Sequence, residues 1–295
     1  MNDLIMHINY GEVKFNTFGK NTIESISKMA AASGYDGIEF RGLPPVDLAH
    51  LSFDEYIKEI GRCKKISGLT NIILAQSLTK AIETDGKESD KEIDKVVENA
   101  KKANDICGTV YFNTSAKLIT SKIPGAPTDE YQYHGSYAAN EEDWKKTVDV
   151  FQKLGDKLTP LGFKFAFETH MNYIHDIPSA SKKLVDLIDS PAIGINMDFG
   201  NTVYFPDIPD VEETIDLYGD KLFYTHLKNS NLIPVVMRRL PCALSEGEIN
   251  HRIYLRKLKE VGFKGPIGIE APRPGDREWY ATNDLNYVKS IITSL

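Results

Sequence analysis

Four side chains able to bind a divalent cation stand at the ends of four consecutive β-rich segments. Glu168 closes FKFAFE, Asp198 closes IGINMD, His226 lies in LFYTH and Glu270 closes PIGIE. Their spacings are 30, 28 and 44 residues, so the first two intervals match one strand-helix unit each and the third adds a long loop. Three carboxylates and one imidazole suit a single divalent metal ion (Mn2+, Mg2+, Co2+ or Zn2+) with positions left for a substrate's oxygens. One acid at a strand end more often caps a helix or joins a salt bridge. Four in successive units favour a shared ligand.

Strand parity extends the constellation, because side chains two apart face the same side of a strand. His170 therefore accompanies Glu168, Asn196 accompanies Asp198, and Lys228 accompanies His226. By the same rule Glu39 and Arg41 share a face at the end of the second segment, Gln76 and Asn113 line the mouth from the third and fourth, and His7 sits near the start of the site. His170, Lys228, Arg41, Glu39, Gln76, Asn113 and His7 are thus candidate substrate-binding residues. His50, His134, His175 and His251 lack such placement and read as surface residues. Phe163, Phe165 and Phe167 alternate against Glu168 and read as packing beneath outer helices.

The elements that must position these residues follow from periodicity. Eight short apolar segments begin at Asp3, Asp36, Thr70, Thr109, Phe163, Ala192, Lys221 and Gly265, and stretches of helical spacing separate them. Repeated strand-helix units predict an α/β protein with a parallel sheet, and eight of them predict a single (β/α)8 TIM barrel over residues 1–295. An open doubly wound sheet is the competitor, but no Gly-rich phosphate loop follows the first segment. Thr22 opens a helix that ends at Gly34, and the helix from Ser89 gathers Ile93, Val96, Val97, Ala100 and Ala103 on one face. Two loops exceed structural economy: 116–138, with Tyr131, Tyr133, His134 and Tyr137, and 230–248, with Arg238, Arg239, Glu246 and Glu248. Long loops on the C-terminal face of a barrel are usually functional, and an aromatic cover over a polar pocket is the expectation for the first.

Composition narrows the function classes. A chain of 295 residues with 41% hydrophobic content can bury a large core. Its 42 acidic against 35 basic residues give a net charge of −7 without a dense Lys/Arg cluster, which argues against nucleic acid as a partner. No long apolar run and no signal-peptide pattern appears at Met1–Tyr10, so a soluble, cytoplasmic protein with no membrane partner is expected. Cys63, Cys107 and Cys242 are widely spaced and read as reduced packing residues.

The motifs GYDGIEFRG, FAFETH, INMDFGN, THLKN and IGIEA together resemble the xylose isomerase-like TIM barrel superfamily, which includes sugar epimerases and isomerases, inosose dehydratases and endonuclease IV. The resemblance covers the whole chain. In ketose epimerases of this superfamily a Glu, Asp, His and Glu at the strand ends hold the metal, and these fall on Glu168, Asp198, His226 and Glu270. Many members carry a histidine three residues after the strand-six aspartate; here Asn201 takes that place and joins the candidate substrate-binding set. The Asp-x-His of endonuclease IV is absent, and Leu232 stands where ketose 3-epimerases carry an arginine. The resemblance implies a divalent-metal-dependent isomerase or epimerase acting on a keto-sugar or related polyol through a cis-enediolate, with Glu168 and Glu270 as catalytic acid and base. A lyase on the same barrel, of the inosose dehydratase type or cleaving 3-keto C-glycosides, is the alternative. A small-molecule carbohydrate is the expected partner. Barrels of this type often dimerise or tetramerise, which leaves a homo-oligomer open.

Overall fold

The computed structural model describes residues 2–11, 22–44, 48–236 and 238–295. Strands β1 (Leu4–His7), β2 (Gly37–Arg41), β3 (Asn71–Ser77), β4 (Tyr111–Ser115), β5 (Lys164–Glu168), β6 (Ile193–Asp198) and β7 (Leu222–Leu227) are followed by a two-stranded ribbon, β8 (Ser230–Ile233) and β9 (Arg238–Pro241), and then by β10 (Ile267–Ile269). The eight strands other than the ribbon close into a barrel in the order β1-β10-β7-β6-β5-β4-β3-β2. Each expected segment contains one of them, so the fold is the TIM barrel that the periodicity predicted. Helices α1 (Ile23–Ser33), α2 (Phe53–Ser67), α3 (Thr79–Glu83), α4 (Gly86–Cys107), α5 (Gly135–Ala138), α6 (Glu141–Leu158), α7 (Pro178–Ile188), α8 (Phe199–Thr202), α9 (Val211–Tyr218), α10 (His251–Glu260) and α11 (Arg277–Ser294) lie between and after the strands.

Local chemistry sets the ends of these elements. Thr22 and Ser25 form a reciprocal capping box at α1, and Gly34 closes that helix at φ 94°, a left-handed conformation that costs glycine nothing. Ser52 with Glu55 and Asn140 with Asp143 repeat the device at α2 and α6. The first segment stops sooner than its hydrophobicity suggests: His7 ends β1, and Ile8–Tyr10 turn into a single 3-10 turn. The ribbon of β8 and β9, with Ser230 opposite Pro241, is an addition to the sequence reading, which expected an irregular loop at 230–248.

The chain forms two compact units. The first comprises Met1–Leu74, Lys102–Thr109 and Thr225–Leu295. Its interior holds an ionic knot as well as apolar side chains: Arg273 Nη1 lies 2.8 Å from Asp284 Oδ2, to which the Tyr10 hydroxyl also donates at 2.7 Å. A buried carboxylate without such partners would be strongly unfavourable. Burial pushes the Tyr10 and Tyr35 phenols up, so both stay protonated, and Tyr35 donates to the Ala281 carbonyl. The second unit comprises Ala75–Lys101 and Val110–Tyr224. Here Phe163, Phe165 and Phe167 are buried as expected, with Phe165 stacked 4.6 Å from Phe112 and Phe167 edge-on to Phe151 of α6 at 5.7 Å. Each such ring contributes about 1.5–3 kcal/mol on burial.

Three of the four histidines read as surface residues are instead buried. Each fastens a loop to itself or to a neighbour. The His134 Nδ1 accepts the Ser121 amide and its Nε2 lies 3.0 Å from the Pro127 carbonyl; His175 Nε2 accepts the Ala116 amide; His251 Nδ1 lies 3.0 Å from the Leu244 carbonyl. Burial, the dominant cause, lowers His175 to about 3 and His251 to about 4, so both are neutral near pH 7. Only His50 is exposed as read. Cys63 and Cys107 are buried and Cys242 is half-buried, and all three are free thiols. Among the described residues no helix is long and apolar enough to cross a membrane.

Candidate metal centre

In the first unit, strand register brings His7 beside Glu39 on β1 and β2, and His226 beside Gly268 on β7 and β10. His226 Nε2 lies 2.8 Å from Glu39 Oε2, and its Nδ1 lies 3.1 Å from Glu270 Oε2. Glu39 is only 1% exposed. A carboxylate on one ring nitrogen fixes the tautomer and makes the other nitrogen a better ligand. With the proton held on Nε2 and donated to Glu39, the Nδ1 lone pair is left for a cation. Glu39, expected among the substrate-binding residues, thus orients His226. His7 is likewise buried: its Nδ1 accepts the Asn9 amide at 3.1 Å, its Nε2 lies 3.7 Å from Glu39 Oε1, and its ring meets His226 edge-on. Expected among the substrate-binding residues, it supports this cluster from β1.

Glu270 stands one residue beyond β10. Its Oε1 accepts from Asn9 Nδ2 at 2.9 Å, and its Oε2 lies 3.3 Å from Lys228 Nζ. Burial opposes ionisation here, but the neighbouring His7, Lys228 and His226 outweigh it and hold the carboxyl well below the usual range. Arg41 is exposed and donates to Asn9 Oδ1 at 3.3 Å.

The second unit presents Glu168 at the end of β5, beside Asn196 of β6 in register. Asn113 Nδ2 donates to Glu168 Oε2 at 3.3 Å, and Asn201 Nδ2 donates both to Glu168 Oε1 at 3.1 Å and to the Thr169 carbonyl. Asn196 Nδ2 in turn donates to Asn113 Oδ1 at 3.2 Å, which settles which end of the Asn113 amide faces Glu168. Asn113 and Asn201, expected among the substrate-binding residues, are buried and hold the Glu168 carboxylate. Asp198 ends β6 fully buried. His170 is half-buried, with Nδ1 3.0 Å from the Met171 carbonyl. Gln76 departs from expectation: its amide turns to the Val96 carbonyl of α4 at 3.4 Å, because the strand presents it to the helix layer.

Glu168, Asp198, His226 and Glu270 each offer one ligand atom to a group that could hold a metal ion. Carboxylate oxygens plus one imidazole are the donors a divalent cation takes, at bonds about 2.0–2.6 Å long. A second set, His7, His226 and Glu270, lies within the first unit, its ligand atoms within 4.8 Å of one another.

Two residues around this cluster escaped the sequence reading. Asn9 lies beyond the strand, in the 3-10 turn, where parity gives no signal. Asn229 follows Lys228 and fastens the loop after β7: its Nδ2 donates to the Leu244 and Ile249 carbonyls, and its Oδ1 accepts from the Ser230 and Ile249 amides. Its place in THLKN was visible, but its role depends on a loop twenty residues away.

Comparison with known proteins bears on this arrangement. The profile of the family described as Xylose isomerase-like TIM barrel matches residues 27–291. Inosose dehydratase from Clostridium perfringens is 30% identical over 173 residues, a stretch that covers 53% of this chain and 58% of that enzyme. Among solved structures, a xylose isomerase-like TIM barrel protein from Mycobacterium smegmatis in complex with magnesium superposes with a TM-score of 0.74 at 20% identity, covering 100% of this chain and 97% of that one. D-Allulose 3-epimerase from Methylomonas sp. superposes with a TM-score of 0.72 at 16% identity, covering 98% of each chain. At such identities the structural likeness is one of fold. With the family profile matched along most of its length, the chain belongs to the xylose isomerase-like TIM barrels, a family whose members include epimerases and dehydratases.

Proposed function

We propose that this chain is a divalent-metal-dependent lyase that eliminates water from a keto-polyol of the inosose type. The observation that carries the reading is the pairing of Lys228 Nζ with Glu270 Oε2 at 3.3 Å, which sets a proton donor beside a proton acceptor. Glu168, Asp198, His226 and Glu270 would hold the cation, which when bound polarises the substrate carbonyl and acidifies the neighbouring C–H. Glu270, kept ionised beside the Lys228 ammonium, takes the α-proton and leaves an enediolate. Lys228 protonates the β-hydroxyl as the C–O bond breaks, and the proton on Glu270 returns to Lys228. One C–H and one C–O bond are broken, one water leaves and no co-reactant is consumed. His170, with its Nδ1 proton donated to the Met171 carbonyl, offers Nε2 to a substrate hydroxyl. The sequence likeness to an inosose dehydratase supports this outcome.

An epimerase or isomerase shares the first half of the reaction. It is favoured by the two glutamates themselves, each held by asparagine amides, because proton return to the opposite face or neighbouring carbon needs a second carboxylate. Lys228→Met separates the two. In heavy water with an inosose and with keto-sugars, the lyase reading expects α-proton exchange to persist in the variant while water elimination falls by about 10²–10⁴-fold. Wild-type protein that exchanges and epimerises without releasing a dehydrated product contradicts it.

A further inference from the structure

We infer that Asn9 is a positioning residue for Glu270, fixing which oxygen of that carboxylate faces the cation. The inference rests on the proposed metal centre and adds a residue to it. Asn9 makes four polar contacts, all within one compact unit. Its amide N–H donates to His7 Nδ1 at 3.1 Å, its carbonyl accepts from Arg277 Nη1 at 2.5 Å, its Oδ1 accepts from Arg41 Nη2 at 3.3 Å, and its Nδ2 donates to Glu270 Oε1 at 2.9 Å.

The side-chain amide has one orientation that satisfies this set. Guanidinium groups only donate, so the Arg41 side must face Oδ1, and the ionised Glu270 only accepts, so it must face Nδ2. A flipped amide would set oxygen against carboxylate and nitrogen against guanidinium. The backbone is held as firmly, since Arg277 anchors the carbonyl and His7 anchors the amide. Glu270 is thus tied through Oε1, and Oε2 is the atom that lies near His226 Nδ1 and Lys228 Nζ. Asn9 also bears on the His226 side of the cluster: because it donates to His7 Nδ1, the proton of neutral His7 stays on Nε2, facing Glu39. One turn residue therefore touches a proposed ligand directly and the support of a second through His7.

A Mn2+ titration at fixed pH, read by electron paramagnetic resonance on wild type, Asn9→Ala, Asn9→Leu and Glu270→Gln, tests this. Leu keeps the volume of Asn without its hydrogen bonds, and thermal melting checks that the variants fold. Both Asn9 variants should bind Mn2+ about 10–100-fold more weakly, the usual cost of losing a residue that orients a ligand. Their bound-metal spectrum should also broaden, a signature that lost fold stability alone would not give. If Glu270→Gln weakens Mn2+ binding while both Asn9 variants bind with wild-type affinity and spectrum, the positioning role is overturned. If wild type itself does not bind Mn2+, the metal centre fails instead, so the two failures are distinct. Should Asn9→Ala misfold, the folded Leu variant decides.

Discussion

At the scale of single residues, the proposed ligands are held by a ring of buried polar groups. Glu39, His7, Asn113 and Asn201 were expected at the substrate, yet Glu39 meets His226, His7 meets Glu39, and the two amides meet Glu168. The residue types were legible because a polar side chain at a strand end is conspicuous in an apolar run. Their partners were not, since strand parity gives a face and not the neighbour across it. The Glu39–His226 contact yields a prediction that depends on this distinction. Glu39→Gln keeps shape but removes the charge that makes His226 a better ligand, so the apparent Kd for Mn2+ should rise about 10–100-fold. Were Glu39 a substrate contact, the same variant would raise KM and leave metal affinity unchanged; calorimetric titration with the metal alone separates the outcomes.

At the scale of elements, the loop at 116–138 is pinned at both ends. The Ile119 amide donates to the Asn172 carbonyl at 2.7 Å, the Gly135 amide donates to the Ile119 carbonyl at 2.9 Å, and the Ser136 amide donates to Asp176 Oδ2 at 3.1 Å. Gly135 is required there: at φ 55° an added Cβ would sit 2.0 Å from Asp176 Oδ2. The tyrosines expected to cover a pocket pack on neighbours, with Tyr131 edge-on to Tyr204 at 6.0 Å. Hydrogen exchange at Ile119 and Gly135 should therefore be slow with and without substrate, which confines any substrate-dependent change to the tip near 122–130. Fast exchange at both amides in the free protein would restore a fully mobile lid. The clamp also has a pH signature. His175 is lowered by burial to about 3, so its contribution is complete above about pH 6.5 and is lost as pH falls toward 3. Asp176, raised by burial to about 6, works the other way: its contribution is complete below about pH 4 and is lost as pH rises through 6. Asp176→Asn should then raise the melting temperature at pH 7 and leave it nearly unchanged at pH 4; an equal shift at both pH values would exclude ionisation as the cause.

At the scale of the whole molecule, the eight strands were readable because each is a short apolar run between helical stretches, and the TIM-barrel class followed from counting them. The β8–β9 ribbon was hidden by Pro234 and Pro241, residues that read as loop, although an isolated two-stranded ribbon tolerates proline. Three histidines were misplaced because burial of a loop depends on what the loop folds against, which periodicity does not carry. The four proposed ligands stand out in the sequence because their spacing follows the repeat of the fold itself. A crystal grown with Mn2+ and measured at its absorption edge decides whether these four residues hold one metal ion. One anomalous peak per chain is expected, within about 2.0–2.6 Å of an oxygen or nitrogen of each of Glu168, Asp198, His226 and Glu270. A peak held by His7, His226 and Glu270 without Glu168 and Asp198, or no peak at this cluster, would contradict it.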